Sequence, residues 1–261
     1  MSKAAGLAVV TGASRGIGRE IAVTLAGHGW DVAFSHVGDE DEVAETTAQV
    51  AAKGRQVFSL RCDVGVKDEV WAFYAAVVKT FGRAPGLLVN NAGVQTWAPL
   101  LELAEADWDR VIRTNLKGCF LNTQRAAQLM VEHGIRGSIV NIGSACNKVP
   151  FPRLVDYTAS KGGIEQFTKV SAVELGAHGI RVNCVAPGAI KHERTKLEAP
   201  DYAATWSAIT PLGRVGTTAD VAKAVHYLAT DASDFVTGQT IYVDGGAFTV
   251  PNWPYSQGKK G

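Results

Sequence analysis

A tyrosine and a lysine four residues apart form the pair in this sequence best suited to proton transfer. Tyr157 and Lys161 share one face if their segment is helical. An ammonium beside a phenol lowers the phenol's pKa from about 10 toward the range useful for acid–base catalysis. Ser144, 13 residues before the tyrosine, is placed to hydrogen-bond the same substrate oxygen. Asn115 lies in a predicted helix, where its amide can hold a water and link the lysine to solvent.

The pair alone is weak as a signal, because the same spacing is common on ordinary helix surfaces. A glycine-rich turn upstream makes chance an unattractive explanation. The run 11–18 follows an apolar segment and precedes a predicted helix, the order required for a pyrophosphate to approach the backbone at a helix N-terminus. We expect the dinucleotide contacts of this turn to come from Gly12, Ser14, Arg15, Gly16, Ile17 and Gly18.

Other cofactor contacts are expected where further parallel strands end, because ligands of doubly wound sheets lie beyond the carboxyl ends of the strands. Asp63 is placed to accept a hydrogen bond from an adenine amino group, and the small residues after Asn90 leave room for a ring against the backbone. Each of these places taken singly is equally well an ordinary turn. The residues predicted here are His36, Asp63, Val64, Asn91, Ala92 and Gly93.

The end of the second predicted strand bears on the choice between NAD and NADP. An acidic residue there would bond the ribose 2′-hydroxyl and repel a 2′-phosphate, but positions 35–37 read Ser-His-Val. With Arg15 in the glycine turn, NADP is favoured over NAD. Asp39, Glu40 and Asp41 are expected to open the next helix, although a loop folded inward would let them disfavour the phosphate.

The elements that must position these residues alternate between short apolar runs and helical patterns. The pattern predicts a single domain over 1–261 with a doubly wound, seven-stranded parallel sheet and helices on both faces. The predicted strands are 7–10, 31–35, 56–61, 86–90, 137–142, 180–186 and 239–243. The predicted helices are 16–28, 39–53, 67–81, 107–133, 155–177 and 217–230.

Composition excludes several classes of protein. The chain has 261 residues, 46% hydrophobic and 20% charged, with a net charge of +1, so no broad field attracts nucleic acid or an anionic membrane. No apolar run reaches the roughly 20 residues that span a bilayer, and the N-terminus is unlike a signal peptide, which predicts a cytoplasmic protein. Four cysteines and six histidines show no metal-binding spacing, so we expect buried free thiols and no metal site.

Two segments break the alternation of strands and helices. Residues 188–213 are polar and interrupted, and are longer than an ordinary connection between strand and helix, as in a mobile lid or a disordered insertion. The tail 248–261 carries Trp253 and Tyr255, which a floppy terminus would not need, so docking is expected.

The motifs together resemble the short-chain dehydrogenase/reductase family over residues 5–246. They are TGASRGIG at 11–18, NNAG at 90–93, Asn115, Ser144, YTASK at 157–161 and Pro187-Gly188. The resemblance implies that Tyr157 is the general acid/base, that Lys161 binds the nicotinamide ribose, that Ser144 orients the substrate and that Asn115 supports a proton relay. It also implies cofactor contacts from Tyr157, Lys161, Pro187, Gly188 and Ile190, and a homotetramer built on the helices near 107–133 and 155–177 and the C-terminal strand.

A finer resemblance, to bacterial glucose 1-dehydrogenases, lies in residues 148–152, 187–190 and 244–246 and in the tail. It implies oxidation of a sugar hydroxyl, such as aldose C1 to a lactone. We expect substrate contacts from Gln95, Ser144, Tyr157, His192 and Arg194. Lys191 and His192 depart from that group's pattern, so the basic lid residues either contact the anionic group of an acidic sugar or form a solvated loop.

Two alternatives to sugar oxidation remain open. One is an NADPH-dependent carbonyl reductase of the 3-oxoacyl type, which runs the same chemistry in the other direction. The other belongs to a different class, a nucleotide-sensing protein that keeps the fold without turnover, whose usual sign would be loss of the tyrosine or the lysine. Both residues are present.

Overall fold

A seven-stranded parallel sheet forms the centre of the molecule. The computed structural model describes residues 6–192, 195 and 200–249. The strands of this sheet are β1 (Leu7–Thr11), β2 (Asp31–His36), β3 (Val57–Arg61), β4 (Leu87–Asn90), β5 (Ser138–Ile142), β6 (Arg181–Pro187) and β9 (Thr240–Val243). The strand order is β3-β2-β1-β4-β5-β6-β9, and every neighbouring pair is parallel. The ends of all seven strands lie within about one residue of the predicted ends.

The helices cover both faces of this sheet, which confirms the predicted fold class. They are α1 (Gly16–Gly27), α2 (Glu40–Ala51), α3 (Lys67–Phe81), α4 (Glu105–Val111), α5 (Gly118–Glu132), α6 (Val155–Leu175), α7 (Tyr202–Ile209) and α8 (Thr218–Ala229). A π-helical segment, Ile112–Lys117, joins α4 to α5, so the predicted helix 107–133 begins at Glu105 and changes its winding in the middle.

Two hydrophobic cores flank the sheet because successive strand residues point to opposite faces. In β1, Val10 belongs to the core shared with α1 and α8, whereas Val9 belongs to the core shared with α3 and α5. Both valines are fully buried. Burial on both faces explains why the strands read as continuous apolar runs.

The order of strands reverses at β1, between β2 and β4, and this reversal opens a crevice at the carboxyl ends of the strands. Side chains tie β1 to β4 at this edge. The Thr11 hydroxyl oxygen accepts hydrogen bonds from the backbone N–H of Asn91 and of Ala92, both at 3.0 Å. The Asn91 amide donates in turn to the carbonyl oxygens of Thr11 and Gly12 at 2.9 Å.

The predicted lid, 188–213, contains more regular structure than expected. Its described part includes α7 and the strand β7 (Ile190–Lys191), which pairs in parallel with β8 (Gly216–Thr217). The sequence predicted no helix or strand here, because a strand of two residues and a helix of eight are too short to show a pattern. That the segment acts as a lid stays a prediction. Of the predicted tail, residues 250–261 lie outside the described part of the chain.

Searches of the described residues find no helix long and apolar enough to cross a membrane. In the same residues no group of three or more histidine, cysteine or acidic side chains is arranged to hold a metal ion. The cysteines, Cys62, Cys119, Cys146 and Cys184, are buried free thiols, as the sequence predicted.

Candidate active site

Tyr157 and Lys161 lie one turn apart on α6, the helix that follows the loop after β5. The Lys161 Nζ lies 5.6 Å from the centroid of the Tyr157 ring and donates a 2.7 Å hydrogen bond to the carbonyl oxygen of Ile142. Lys161 is only 4% exposed, and burial lowers its pKa. The thiols nearby stay neutral because burial raises the pKa of Cys119 to about 12 and of Cys184 to about 11.

Ser144 comes two residues after β5 and begins a short 3-10 turn, Ala145–Asn147. Its hydroxyl oxygen accepts from the Cys146 N–H at 3.2 Å, and its own N–H donates to the Asn147 side chain at 3.2 Å. These two bonds form a capping box, which fixes the direction of the serine side chain. Ser144 and Tyr157 therefore line the same cleft from two separate elements.

Asn115 lies in the π-helical segment and is 1% exposed. Its Oδ1 accepts from the Val94 N–H at 2.8 Å, while its Nδ2 donates to the Val94 carbonyl at 2.9 Å and to the Ser160 hydroxyl at 3.0 Å. Both amide hydrogens are thus occupied by protein atoms. The side chain therefore ties the loop after β4 to α6, and the predicted part of Asn115 in a proton relay stays a prediction.

The glycine turn has the close approaches that a dinucleotide site needs. Gly12 has a φ of +64°, and a Cβ there would lie 2.8 Å from the Cα of Ala92. A Cβ at Gly18 would lie 2.5 Å from both the Asn91 side chain and the Gly12 carbonyl oxygen. The first turn of α1 carries no acidic residue, so its N–H groups face the crevice without a competing carboxylate. These features fit a bound diphosphate.

The end of β2 offers unpaired polar atoms to a ribose or phosphate. Within the described part of the chain, the Ser35 hydroxyl and the His36 Nδ1 are buried without a hydrogen-bond partner. Burial lowers the pKa of His36, an effect that Glu40 opposes. Asp39 accepts from the Asp41 N–H at 2.8 Å and caps α2, so these acidic residues open the helix, as expected.

Arg15 and Asp63, two predicted cofactor contacts, already have protein partners. Arg15 occupies the N-cap position of α1 without a side-chain capping bond, and it forms an ion pair with Glu42 at 3.1 Å. The 2′-phosphate contact predicted for it requires this pair to open or to be shared. Asp63 accepts from the Gly65 N–H at 2.9 Å and pairs with Arg113 at 3.2 Å. Its carboxylate is partly occupied, whereas the neighbouring Val64 is buried against Gly118.

A cleft of about 910 Å³ connects the glycine turn to the substrate side of the site. Eleven predicted site residues line it, namely Ile17, Asn91, Gly93, Gln95, Ser144, Tyr157, Lys161, Pro187, Gly188, Ile190 and His192. The remaining described ones lie behind it or along the crevice at the ends of β1 to β4, namely Gly12, Ser14, Arg15, Gly16, Gly18, His36, Asp63, Val64, Ala92 and Asn115. Arg194 lies outside the described residues.

The sequence interpretation missed an aromatic wall of the cleft. Phe151, Trp206 and Phe248 come from three distant segments and contact one another there, and Tyr202 tilts against Trp206 with ring centroids 6.2 Å apart. Tyr202 and Trp206 lie in the segment 188–213, whose sequence is otherwise polar. The presence of these aromatic residues in a polar segment was the one sign of the wall in the sequence. Sequence spacing could not show that the rings meet.

Comparison with known proteins agrees with this geometry. The sequence model of a family described as enoyl-(acyl carrier protein) reductase matches residues 12–248. The 3-oxoacyl-[acyl-carrier-protein] reductase FabG of Staphylococcus aureus is 40% identical over 92% of this chain and 97% of its own. The 3beta-hydroxysteroid dehydrogenase 1 of Eggerthella lenta is 35% identical over 96% of both chains. The solved acetoin dehydrogenase from Enterobacter cloacae has a TM-score of 0.87 at 36% identity, covering 96% of this chain and 99% of its own.

Fold and site together define an oxidoreductase that binds a nicotinamide dinucleotide and acts on a hydroxyl or carbonyl group. The chain belongs to the short-chain dehydrogenase/reductase family. These three relatives carry names with different substrates, so family membership leaves the substrate open. The finer resemblance to glucose 1-dehydrogenases is not established by them.

Proposed function

We propose that the chain interconverts a hydroxyl and a carbonyl on a substrate carbon held over Ser144 and Tyr157. The observation that carries the proposal is the placement of Ser144, Tyr157 and Lys161 along one cleft that begins at the glycine turn. In the oxidative direction the Tyr157 oxygen takes the hydroxyl proton, and in the reductive direction it returns a proton to the carbonyl oxygen. NAD(P) held at the glycine turn and beside Lys161 would supply the hydride chemistry at the same carbon.

The other side chains prepare this proton transfer. The buried positive charge of Lys161 favours the phenolate form of Tyr157, and the Ile142 carbonyl holds that charge in place. Ser144 donates to the substrate oxygen from a hydroxyl fixed by its capping box. Asn115 keeps the loop around Val94 at the cleft wall, so we propose that it acts as a positioning residue.

Oxidation of a sugar hydroxyl, such as aldose C1 to a lactone, is the second candidate. Gln95 and His192 line the same cleft as Ser144 and supply polar groups that a sugar requires. Reduction of a 3-oxoacyl thioester is the third, supported by the 40% identity to FabG. Contact with an anionic sugar would rest on His192 and Arg194. Among the described residues that line the cleft, the one lysine, arginine or acidic residue is Lys161, which already serves the proton transfer.

For the cofactor we propose a preference for NADP over NAD. The buried Ser35 hydroxyl and His36 Nδ1 support it, because both lie at the end of β2 and lack partners within the described residues. Arg15 supplies positive charge close by, although Glu42 pairs with it. The cytoplasmic location remains a prediction.

We also propose a homotetramer. The outward faces of α5 and α6 support this proposal. Phe120 and Phe167 pack edge to face with centroids 6.3 Å apart, and Val170 and Val173 are exposed beside them. Exposed apolar groups on adjacent helices are typical of subunit interfaces. Sedimentation at micromolar concentration should show an assembly of four chains, and a monomer would contradict the proposal.

The test of the proposed activity is absorbance in the reduced-nicotinamide band. Purified protein is offered glucose, other aldoses, an acidic sugar, acetoin and a 3-oxoacyl thioester, each with both forms of the cofactor. We expect turnover of at least one alcohol or carbonyl compound, faster with the NADP form. Absence of turnover across the panel, with nucleotide binding retained, would favour the nucleotide-sensing alternative.

A further inference from the structure

The aromatic wall of the cleft is built from three rings that contact one another in a closed triangle. The centroid of Phe151 lies 6.1 Å from that of Trp206 and 5.4 Å from that of Phe248, and the last two are 5.9 Å apart. Both contacts of Phe151 are edge to face, the arrangement that aromatic pairs prefer. Each ring is half-buried, so part of its surface remains available to the cleft.

The turn after β9 holds Phe248, one ring of this wall, in place beside the cleft. Asp244 accepts hydrogen bonds from the N–H groups of Gly246 at 2.9 Å and Phe248 at 3.2 Å, which fixes the turn after β9. The Phe248 ring packs on Gly188, where a Cβ would lie 3.1 Å from the ring. Through Phe248 the wall therefore packs against the loop that follows β6, beside the cleft.

The rest of the substrate side is also largely apolar. Val94, Trp97 and Leu154 line the cleft, and the loops that carry them are joined by the backbone bridge between Ala98 and Leu154. In the lining that the structure describes, Lys161 is the one lysine, arginine or acidic residue, and its ammonium already bonds Ile142. The polar side chains on the substrate side are Ser144 and Tyr157 at the proton-transfer centre and Gln95, His192, Thr195 and Tyr202 elsewhere. The Thr195 hydroxyl already bonds the His192 backbone.

This distribution of groups suits a molecule with one reacting oxygen and an apolar body. A sugar can also stack a C–H face on a ring, but its several hydroxyls need hydrogen-bond partners around the whole molecule. Each buried hydroxyl without a partner costs about tenfold or more in affinity. An apolar ring gains from contact with aromatic faces and has no such requirement.

We propose that the substrate is a secondary alcohol or ketone carried by an apolar ring system, with the ring packed on Phe151, Trp206 and Phe248. This inference rests on the proposed function and narrows it. The three aromatic residues determine specificity without taking part in proton transfer. A small acyclic substrate reaches Ser144 and Tyr157 without filling the space beside the wall.

The test compares kcat/KM for cyclohexanone and acetophenone, as ring ketones, with that for acetoin and glucose. We expect the wild-type protein to prefer a ring ketone to both acetoin and glucose. Trp206→Ala should lower kcat/KM for the ring ketones about tenfold or more, through KM, and change that for acetoin less than about threefold. Trp206→Phe keeps an aromatic face and should restore most of the loss.

Two controls keep the result interpretable. Trp108→Ala removes a partly exposed tryptophan of α4 outside the cleft and should leave all substrates unchanged. Phe248→Leu is a second variant of the aromatic wall, so that a folding defect in Trp206→Ala does not decide the outcome. The thermal transition of Phe248→Leu is compared with that of the wild-type protein.

The outcomes separate the inference from the activity on which it rests. If acetoin is turned over and Tyr157→Phe abolishes it, but glucose or acetoin outperforms both ring ketones, the inference is overturned and the activity stands. An equal loss for acetoin and the ring ketones in Trp206→Ala and Phe248→Leu overturns it as well. If no alcohol or ketone is turned over, the proposed function fails, and the inference fails with it.

Discussion

The Lys161 ammonium lies 5.6 Å from the centroid of the Tyr157 ring, one turn further along the same helix. Burial lowers the pKa of this lysine, and no carboxylate lines the described part of the cleft to offset that effect. The Ile142 carbonyl is its hydrogen-bond acceptor at 2.7 Å. A positive charge without a counter-ion in the described lining acts most strongly on its neighbours, and Tyr157 is the titratable neighbour that lines the same cleft.

Replacing Lys161 tests this electrostatic relationship. In Lys161→Met the rising limb of the pH–rate profile for alcohol oxidation should move to higher pH by about one unit or more, because the phenolate loses its positive neighbour. Rates measured from neutral to alkaline pH give the shift. Lys169→Met is the matched control, since Lys169 lies on the same helix and pairs with Glu165 at 3.1 Å near the surface. An unchanged profile in Lys161→Met would contradict the relationship.

Removal of the Asn115 amide should affect both stability and turnover. Asn115→Ala leaves the half-buried Val94 backbone groups without their partners, which costs about 1 kcal/mol or more of unfolding free energy. We expect a lower kcat as well, because the loop after β4 moves. Chemical denaturation and steady-state kinetics measure the two effects. Asn122→Ala, which removes a 2.9 Å bond to the Gly118 carbonyl inside α5, should lower stability and leave kcat unchanged.

Glu42 is expected to weaken NADP binding through its ion pair with Arg15. Glu42→Gln frees the guanidinium and removes a negative charge near the end of β2, so KM for NADP should fall about three- to tenfold while KM for NAD changes little. Glu45→Gln serves as the control, because Glu45 on the same helix pairs with Arg19 at 2.6 Å. Equal changes of KM for both nucleotides would argue against a 2′-phosphate contact.

The stacked imidazoles of His28 and His226 predict a pH dependence of stability. Their ring centroids are 3.7 Å apart, and burial, together with the charge of His28, lowers the pKa of His226 in the folded protein. His226 then binds a proton more readily in the unfolded chain than in the folded protein. The free energy of unfolding is therefore highest above the pKa of His226 in the unfolded chain and decreases as the pH falls below it. Chemical denaturation at about pH 7.5 and about pH 5.5 measures the loss.

His226→Gln should reduce this loss, since it removes one histidine whose pKa differs between the folded and unfolded states. His36 contributes with the same sign and remains in the variant, so a smaller dependence persists. His178→Gln, a change at an exposed histidine, is the control and should leave the difference as it is. A dependence of the same size in His226→Gln would show that the imidazole pair is not its source.

The sheet could be predicted because its strands are apolar runs separated by helical patterns, so Leu7–Thr11 and the other six strands are visible from residue types alone. The π-helical segment could not, because a change in winding over Ile112–Lys117 leaves the apolar periodicity nearly unaltered. The spacing of Tyr157 and Lys161 predicted their shared face. The positioning role of Asn115 depends on Val94, which is brought to it by the fold and not by sequence distance.

The aromatic wall shows the same limit on the substrate side. Phe151, Trp206 and Phe248 come from separate segments, and their meeting depends on how the turn after β9 and the helix α7 pack over the cleft. Apolar composition in each segment was visible, but the convergence of the three rings is a tertiary property.

Whether the Tyr157 oxygen transfers the proton is tested by the turnover of the best substrate in Tyr157→Phe, with nucleotide binding measured in parallel. This change removes one oxygen and keeps the ring beside Lys161. We expect a loss of kcat of about a hundredfold to ten thousandfold with nucleotide affinity nearly unchanged. Turnover within a few fold of the wild-type value would contradict Tyr157 as the group that transfers the proton.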